Sequence, residues 1–248
     1  MAHPASTRRL IDAGFAIALL AAGALAVHAW TRDEPPAMPD GICVDTGSVL
    51  PTNDGARIEV AALFGQLEPG DPDRDPALAS VRFLTASLEE RGYRRAGDRY
   101  EHRTADGAVI SIDILGPSAL RHDDLAATGR AIDRALHDHA VVYYNGHSYD
   151  GGLRFEPAGT RRLLVLDACW STQLYGERLV DANLDVIGNT ERSITGSVES
   201  LLHVLDGLED QRVISIAAMN AAATDRAERR RSSEFPEAEH YGVLARCR

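Results

Sequence analysis

Two short apolar runs, each leading to a reactive side chain, constrain the fold of this chain more than any other feature. Val141–Tyr144 leads to His147, and Leu163–Leu166 leads to Cys169. Continuous apolar runs without polar alternation are typical of strands that are buried on both faces, as in a parallel sheet covered by helices. Ligands of such sheets bind beyond the carboxyl ends of the strands. The pattern therefore predicts a Cys–His dyad at one sheet edge, in which the histidine takes the thiol proton and the thiolate attacks a carbonyl carbon.

The residues around the two side chains carry a recognisable pattern. Residues 145–148 read Asn-Gly-His-Ser, and residues 167–169 read Asp-Ala-Cys. These blocks resemble the motifs of the caspase-like cysteine peptidases, a group that includes caspases, metacaspases, legumain, separase and the gingipains. The first block is similar to the gingipain and separase form, in which glycine precedes the histidine, and the second is similar to the caspase Gln-Ala-Cys signature. The resemblance is specific over residues 141–171 and concerns only the architecture elsewhere.

The resemblance implies catalytic roles for three residues. Cys169 would be the nucleophile and His147 the general base and acid. The backbone N–H groups of Ser148 and Cys169 would form the oxyanion hole. Ser148 stands where the family usually has glycine, so a positive φ at this position would strain the serine by ~1 kcal/mol or somewhat more.

The resemblance also implies a substrate preference. Asp167 matches the metacaspase aspartate that helps to bind a basic side chain, so Arg or Lys is expected before the scissile bond. The alternative for Asp167 is a structural carboxylate that caps local backbone amides. Trp170 is a candidate wall of the substrate pocket or a core residue, and Asp150 and Glu191 are further acidic candidates near the same edge.

Strand and helix patterns alternate along the chain, with connections short enough for βαβ units. We therefore predict an α/β fold, a three-layer sandwich with a mostly parallel central sheet, which is also the caspase-like architecture. A helix that begins near residue 172 would place Cys169 at a helix N-terminus, where unpaired amides favour the thiolate. The predicted helices are 76–91, 123–139, 172–180 and 194–210, and the predicted strands beside the two motif strands are 58–64, 100–104, 108–115, 184–188 and 213–218.

The first 30 residues predict export. Arg8 and Arg9 precede the apolar run 13–30, and small residues at its end offer a signal-peptidase site. At 18 residues, the run is alternatively long enough to remain as an N-terminal membrane anchor. Either way, we expect a periplasmic, secreted or membrane-anchored protein. The predicted organisation is a signal peptide or anchor over 1–30, a linker over 31–54, the caspase-like α/β domain over 55–225 and a basic tail over 226–248.

Composition argues against several other classes of protein. The 26 basic and 37 acidic residues give a net charge of −11, whereas nucleic-acid-binding domains carry basic surfaces. Nine histidines lack paired metal-ligand spacing, and no glycine-rich phosphate loop follows a predicted strand, so neither a metal nor a cofactor is expected. In an exported protein Cys43 and Cys247 could form a disulfide, with two unrelated thiols as the alternative.

These features together predict an exported caspase-like cysteine endopeptidase. Its partner would be a peptide or protein substrate, with no nucleic acid, and with membrane contact only through the N-terminal segment. One alternative is a catalytically silent caspase-like module that binds peptides or a partner in the cell envelope, with an ordered pocket but no reactive thiolate. Another is a different Cys-dependent acyl chemistry, such as an amidase or transpeptidase acting on cell-wall peptides. The oligomeric state is left open.

Overall fold

A nine-stranded sheet forms the centre of the fold. The structure, a computed structural model, describes residues 35–49, 57–154, 162–191, 198–210, 213–230 and 240–247. The strands are β1 (Ile42–Asp45), β2 (Ser48–Val49), β3 (Arg57–Phe64), β4 (Arg94–Ala96), β5 (Arg99–Arg103), β6 (Val109–Leu115), β7 (Val141–Asn145), β8 (Arg162–Asp167), β9 (Leu184–Asn189), β10 (Ile214–Ser215) and β11 (Tyr241–Arg246). The central sheet has the order β1-β11-β9-β8-β7-β3-β6-β5-β4, and β10 pairs separately with β2.

Helices cover both faces of this sheet. The α-helices are α1 (Ala77–Glu90), α2 (Leu125–Asp138), α3 (Ser171–Leu179), α4 (Glu199–Glu209) and α5 (Ile216–Arg230), and short 3-10 helices occupy Pro72–Arg74 and Tyr149–Gly151. One apolar cluster joins α1, α4 and α5 to one face of the sheet, and a second joins α2 and α3 to the other. The predicted α/β three-layer sandwich with a mostly parallel central sheet is confirmed.

The middle of the sheet is parallel, and its central strands β7 and β8 are buried on both faces. Strands β6, β3, β7, β8 and β9 are neighbours and run in the same direction. All five residues of β7 are buried, and in β8 only the first residue, Arg162, is partly exposed. Side chains on both faces are thus removed from water, which is the arrangement that unalternated apolar runs favour.

The predicted strand over 213–218 is wrong. Only Ile214 and Ser215 form a strand, and the helix α5 begins at Ile216. Ile214 and Ile216 are buried on either side of the exposed Ser215, which imitates a strand alternation. The alanine-rich sequence that follows favours a helix, and Met219 continues the buried side three residues after Ile216.

The sheet also takes in residues from the predicted linker and the predicted tail. Strand β1 lies within 31–54 and β11 lies within 226–248, and the two pair antiparallel, with β11 also pairing with β9. A Cβ atom at Gly242 would lie 1.7 Å from Cγ1 of Val44, so only glycine allows this approach of β11 to β1. Residues 36–248 form one compact unit, which extends beyond the predicted domain bounds of 55–225.

The predicted signal peptide or anchor, residues 1–30, lies outside the described residues, as do 31–34, 50–56 and 231–239. Within the described ranges, no helix has the length and apolar character required to cross a membrane.

A disulfide links the edge strand β1 to the end of its neighbour β11. Cys43 of β1 and Cys247, directly after β11, are bonded, with their Cα atoms 5.0 Å apart. The pairing that the sequence left open is therefore formed. It is made possible by the antiparallel register, which sets Cys43 opposite Ala245.

Removing this disulfide should cost much of the stability of the fold. The bond spans a sequence separation of 204 residues, and closing so long a loop in the unfolded chain is worth about 5 kcal/mol in the chain-entropy account. We expect the double variant Cys43→Ser, Cys247→Ser to lose about 3–5 kcal/mol of unfolding free energy in denaturant titrations. A reductant should destabilise the wild-type protein and leave the double variant unchanged. Equal midpoints for the two oxidised proteins would contradict the expectation.

Candidate active site

Two adjacent parallel strands deliver His147 and Cys169 to one edge of the sheet. Asn145, the last residue of β7, is in register with Asp167, the last residue of β8. His147 and Cys169 each lie two residues beyond this matched pair. Because parallel strands end on the same side, the imidazole and the thiol belong to the same carboxyl edge, where ligands of α/β sheets bind.

The backbone carbonyl of Leu67 orients the imidazole. The Nε2 atom of His147 lies 2.5 Å from the oxygen of Leu67. A carbonyl oxygen can only accept, so Nε2 carries the hydrogen and donates it. In the neutral ring the lone pair is then on Nδ1, which leaves that nitrogen available to take a proton. Leu67 was missed by sequence reasoning because its contribution is a backbone atom, 80 residues before the histidine, and no residue type signals it.

Two further rings pack around His147. The His122 ring is edge-on to it, with centroids 5.4 Å apart. The Tyr149 ring lies 5.6 Å from His147 and 5.8 Å from His122. Burial raises the pKa of Tyr149 to about 12, so its phenol stays neutral in the physiological range. The His147 ring is therefore positioned by one backbone acceptor and by two neighbouring rings.

Ser148 adopts an ordinary backbone conformation. Its φ of −76° and ψ of −16° lie in the right-handed helical region, so no glycine is required there and the strain expected for a positive φ does not arise. Its carbonyl oxygen accepts a hydrogen bond from the hydroxyl of Tyr175 on α3. The predicted oxyanion residue is thus fixed to the same helix that follows Cys169.

Cys169 lies in a tight turn between β8 and α3. It is half-buried and takes no part in a disulfide. The amide of Ser171 donates to the carbonyl of Ala168 (3.2 Å), and the amide of Trp170 donates to the carbonyl of Glu191 (2.8 Å). Because α3 begins at Ser171, the thiol lies within one turn of a helix N-terminus, and the helix dipole there favours a thiolate.

The side chain of Ser171 ties this turn to the neighbouring strand. Its hydroxyl donates to the carbonyl of Leu166 on β8 (2.8 Å) and accepts from the amide of Asn189 on β9 (2.8 Å). Both partners are buried, so the hydroxyl satisfies groups that water does not reach.

Unusual backbone geometry occurs next to both predicted catalytic residues. Among the described residues other than glycine, Tyr149 and Trp170 are the two with positive φ, at 48° and 49°. Tyr149 is two positions after His147, and Trp170 directly follows Cys169. A bulky residue in this region costs roughly 1–3 kcal/mol, and such positions cluster at functional sites. Trp170 is half-buried, and its backbone is held in this turn by the hydrogen bond from its amide to the carbonyl of Glu191. Its role as a wall of the substrate pocket stays a prediction.

Asp167 is enclosed in the core beneath the edge. Its side chain is 0% exposed. It accepts hydrogen bonds from the hydroxyls of Tyr143 (2.8 Å), Ser200 (3.0 Å) and Tyr241 (3.1 Å), which come from β7, α4 and β11. This network favours a structural role for Asp167. The carboxylate accepts from hydroxyl groups, however, and not from the backbone amides that the structural alternative expected. Direct binding of a basic substrate side chain by Asp167 stays a prediction.

The structure gives few side-chain contacts for the other two acidic candidates, Asp150 and Glu191. Asp150 lies in the 3-10 helix Tyr149–Gly151, and its side chain is outside what the structure describes. Glu191 lies two residues after the end of β9, and its carbonyl oxygen accepts from the amide of Trp170 in the turn of Cys169. In the described part of the chain, no group of three or more His, Cys, Asp or Glu side chains is arranged to hold a metal ion.

No protein-family model, curated protein or solved structure matches this chain. The site itself combines a thiol near a helix N-terminus with an imidazole of defined tautomer. That combination suits nucleophilic attack on a carbonyl carbon followed by proton transfer to the leaving group.

Proposed function

We propose that this protein is an exported cysteine endopeptidase of the caspase-like type, with Cys169 as nucleophile and His147 as general base and acid. The observation that carries the proposal is the register of β7 and β8, because it brings both side chains to the same edge from adjacent strands. In the proposed reaction the thiol proton moves to His147 and the thiolate attacks the peptide carbonyl. His147 then protonates the leaving amine, and water hydrolyses the thioester.

The oxyanion of this reaction would be bound by the backbone N–H groups of Ser148 and Cys169. Ser148 is buried and follows β7, and Cys169 follows the adjacent strand β8. Fixed backbone donors of this kind stabilise a developing negative charge without needing to reorient.

Export is supported by the disulfide between Cys43 and Cys247. Structural disulfides persist in oxidising compartments and are rare in reducing ones. The bond is consistent with the signal-like sequence of residues 1–30, and with a periplasmic, secreted or anchored location.

A labelling experiment tests the nucleophile and the substrate preference together. Peptidyl electrophiles ending in Arg, Asp or Asn are incubated with the protein near neutral pH, and the modified residue is identified by mass spectrometry. We expect Cys169 to be labelled, fastest by the Arg-ended reagent, because a neighbouring imidazole and a helix N-terminus both favour thiolate.

The same reagents applied to the unfolded, reduced chain provide the control. There Cys43, Cys169 and Cys247 should react at similar rates. If Cys169 in the folded protein reacts no faster than these unfolded thiols, the peptidase proposal fails and a silent binding module takes its place. If the Asn-ended or Asp-ended reagent is fastest, the basic preference alone is wrong.

A further inference from the structure

A buried carboxylate holds the loop that orients the catalytic histidine. The loop between β3 and α1 contains Leu67, whose carbonyl accepts from His147. Asp75, 5% exposed, lies at the other end of this loop. Its carboxylate accepts from the amides of Leu67 (3.0 and 3.1 Å), Glu68 (2.9 Å) and Ala77 (2.8 Å). One side chain therefore ties the start of the loop to the first turn of the following helix.

One peptide group connects this carboxylate to the imidazole. The Leu67–Glu68 peptide accepts from His147 Nε2 through its carbonyl oxygen and donates to Asp75 through its N–H. An amide whose N–H faces an anion is polarised, and its oxygen becomes a stronger acceptor, because successive hydrogen bonds reinforce one another. A single peptide group therefore separates the Asp75 carboxylate from the His147 ring.

We propose that Asp75 is a positioning residue for His147 and acts through the Leu67–Glu68 peptide group. Its carboxylate fixes the tautomer with hydrogen on Nε2 and stabilises the imidazolium that forms when Cys169 gives up its proton. In that step the S–H bond breaks and an Nδ1–H bond forms, while the Nε2 proton and the ionised carboxylate remain where they are. The inference rests on the proposed function, since it assigns a role within the same dyad.

A merely structural Asp75 would have a different signature. If Asp75 only held the loop to the start of α1, its loss would lower the stability of the fold, or would slow the reaction by the same factor at every pH. As a positioning residue it affects the reaction only where the imidazolium–thiolate pair is needed, near neutral pH. In alkali the thiol ionises without help from the histidine.

The alkylation rate of Cys169 therefore decides the question. We compare the purified wild-type protein with Asp75→Asn near pH 7 and near pH 10, using iodoacetamide. We expect the rate in Asp75→Asn to fall by about tenfold near neutral pH and to stay within about twofold of wild type in alkali. An unchanged neutral rate, or an equal loss at both pH values, would overturn the inference.

Asp71→Asn is the matched control. Asp71 belongs to the same loop, and its exposed carboxylate accepts from the amide of Asp73 (3.0 Å). The variant removes the same charge from the same loop but no bond to Leu67 or Glu68. Alkylation of Cys169 should be unchanged at both pH values, and a loss as large as that of Asp75→Asn would overturn the inference.

The wild-type protein supplies a test that does not depend on folding of the variant. In NMR titrations the amide proton of Glu68 should shift with the same midpoint as the imidazole of His147, whereas the amide of Asp73 should not follow it. A Glu68 amide that ignores His147 overturns the inference. If wild-type Cys169 has no neutral reactivity, the proposed function fails and this inference with it. If wild-type Cys169 reacts rapidly and Asp75→Asn matches it, only this inference fails.

Discussion

Replacing Cys169 with alanine is expected to abolish peptide cleavage, with a loss of more than about 10⁴-fold in turnover. In the proposed reaction the Cys169 thiolate makes the bond to the carbonyl carbon, and a methyl group offers no nucleophile in its place. Because Cys169 is only half-buried, the change leaves no closed cavity, and the free energy of unfolding should shift by less than about 1 kcal/mol. Peptide cleavage assays and denaturant titrations on the same sample measure both quantities.

Ser171→Ala is the control for this variant, because the residue lies in the same turn and its hydroxyl serves structure. Its loss leaves the buried amide of Asn189 without its acceptor, which should cost about 1–3 kcal/mol of stability. Below its unfolding temperature this variant should still cleave peptides. Wild-type turnover in Cys169→Ala would refute the assignment of the nucleophile.

Replacing His147 with alanine is expected to lower turnover by about 10²–10⁴-fold, the usual worth of a positioned acid–base group. The thiol remains and can still ionise, so the loss should be smaller than that for Cys169→Ala. The effect should appear mainly in kcat, because the imidazole transfers a proton during the chemical step and does not contribute to substrate binding. Steady-state kinetics with a fluorogenic peptide would separate kcat from KM.

His122→Ala tests whether the effect belongs to His147 or to any imidazole at this edge. The two rings lie 5.4 Å apart, but the bond from His122 to Gln66 uses its backbone amide and survives the substitution. Turnover in His122→Ala should stay within a few-fold of wild type. Equal losses in both histidine variants would contradict the assignment of His147 as the proton carrier.

The parts of the site that lie on single strands could be predicted from the sequence. Val141–Tyr144 and Leu163–Leu166 are apolar without alternation, which favours buried parallel strands, and their ends carry the candidate dyad. The helix after Cys169 was also predictable, since its pattern begins within one residue of the observed start at Ser171.

The parts that depend on distant pairing could not be predicted. Strand β1 is the edge strand and β11 lies between β1 and β9, and both are placed by antiparallel pairing with distant parts of the chain and by the disulfide, which no local pattern announces. Asp75 is one of three aspartates between Gly70 and Pro76, and no local pattern distinguishes it from the other two, yet it is buried and accepts hydrogen bonds from three backbone amides. The carbonyl of Leu67 is invisible to any argument from residue types.

The bond between Cys43 and Cys247 turns the chain between them into a covalent circle. A single peptide-bond cut anywhere on that circle opens it into a line but separates nothing, because the two new pieces stay attached through sulfur. A nicked molecule would keep its mass, apart from one added water, until a reductant is present. Products of internal proteolysis, including any cut that this protein makes in its own copies, would therefore be seen only on a reducing gel.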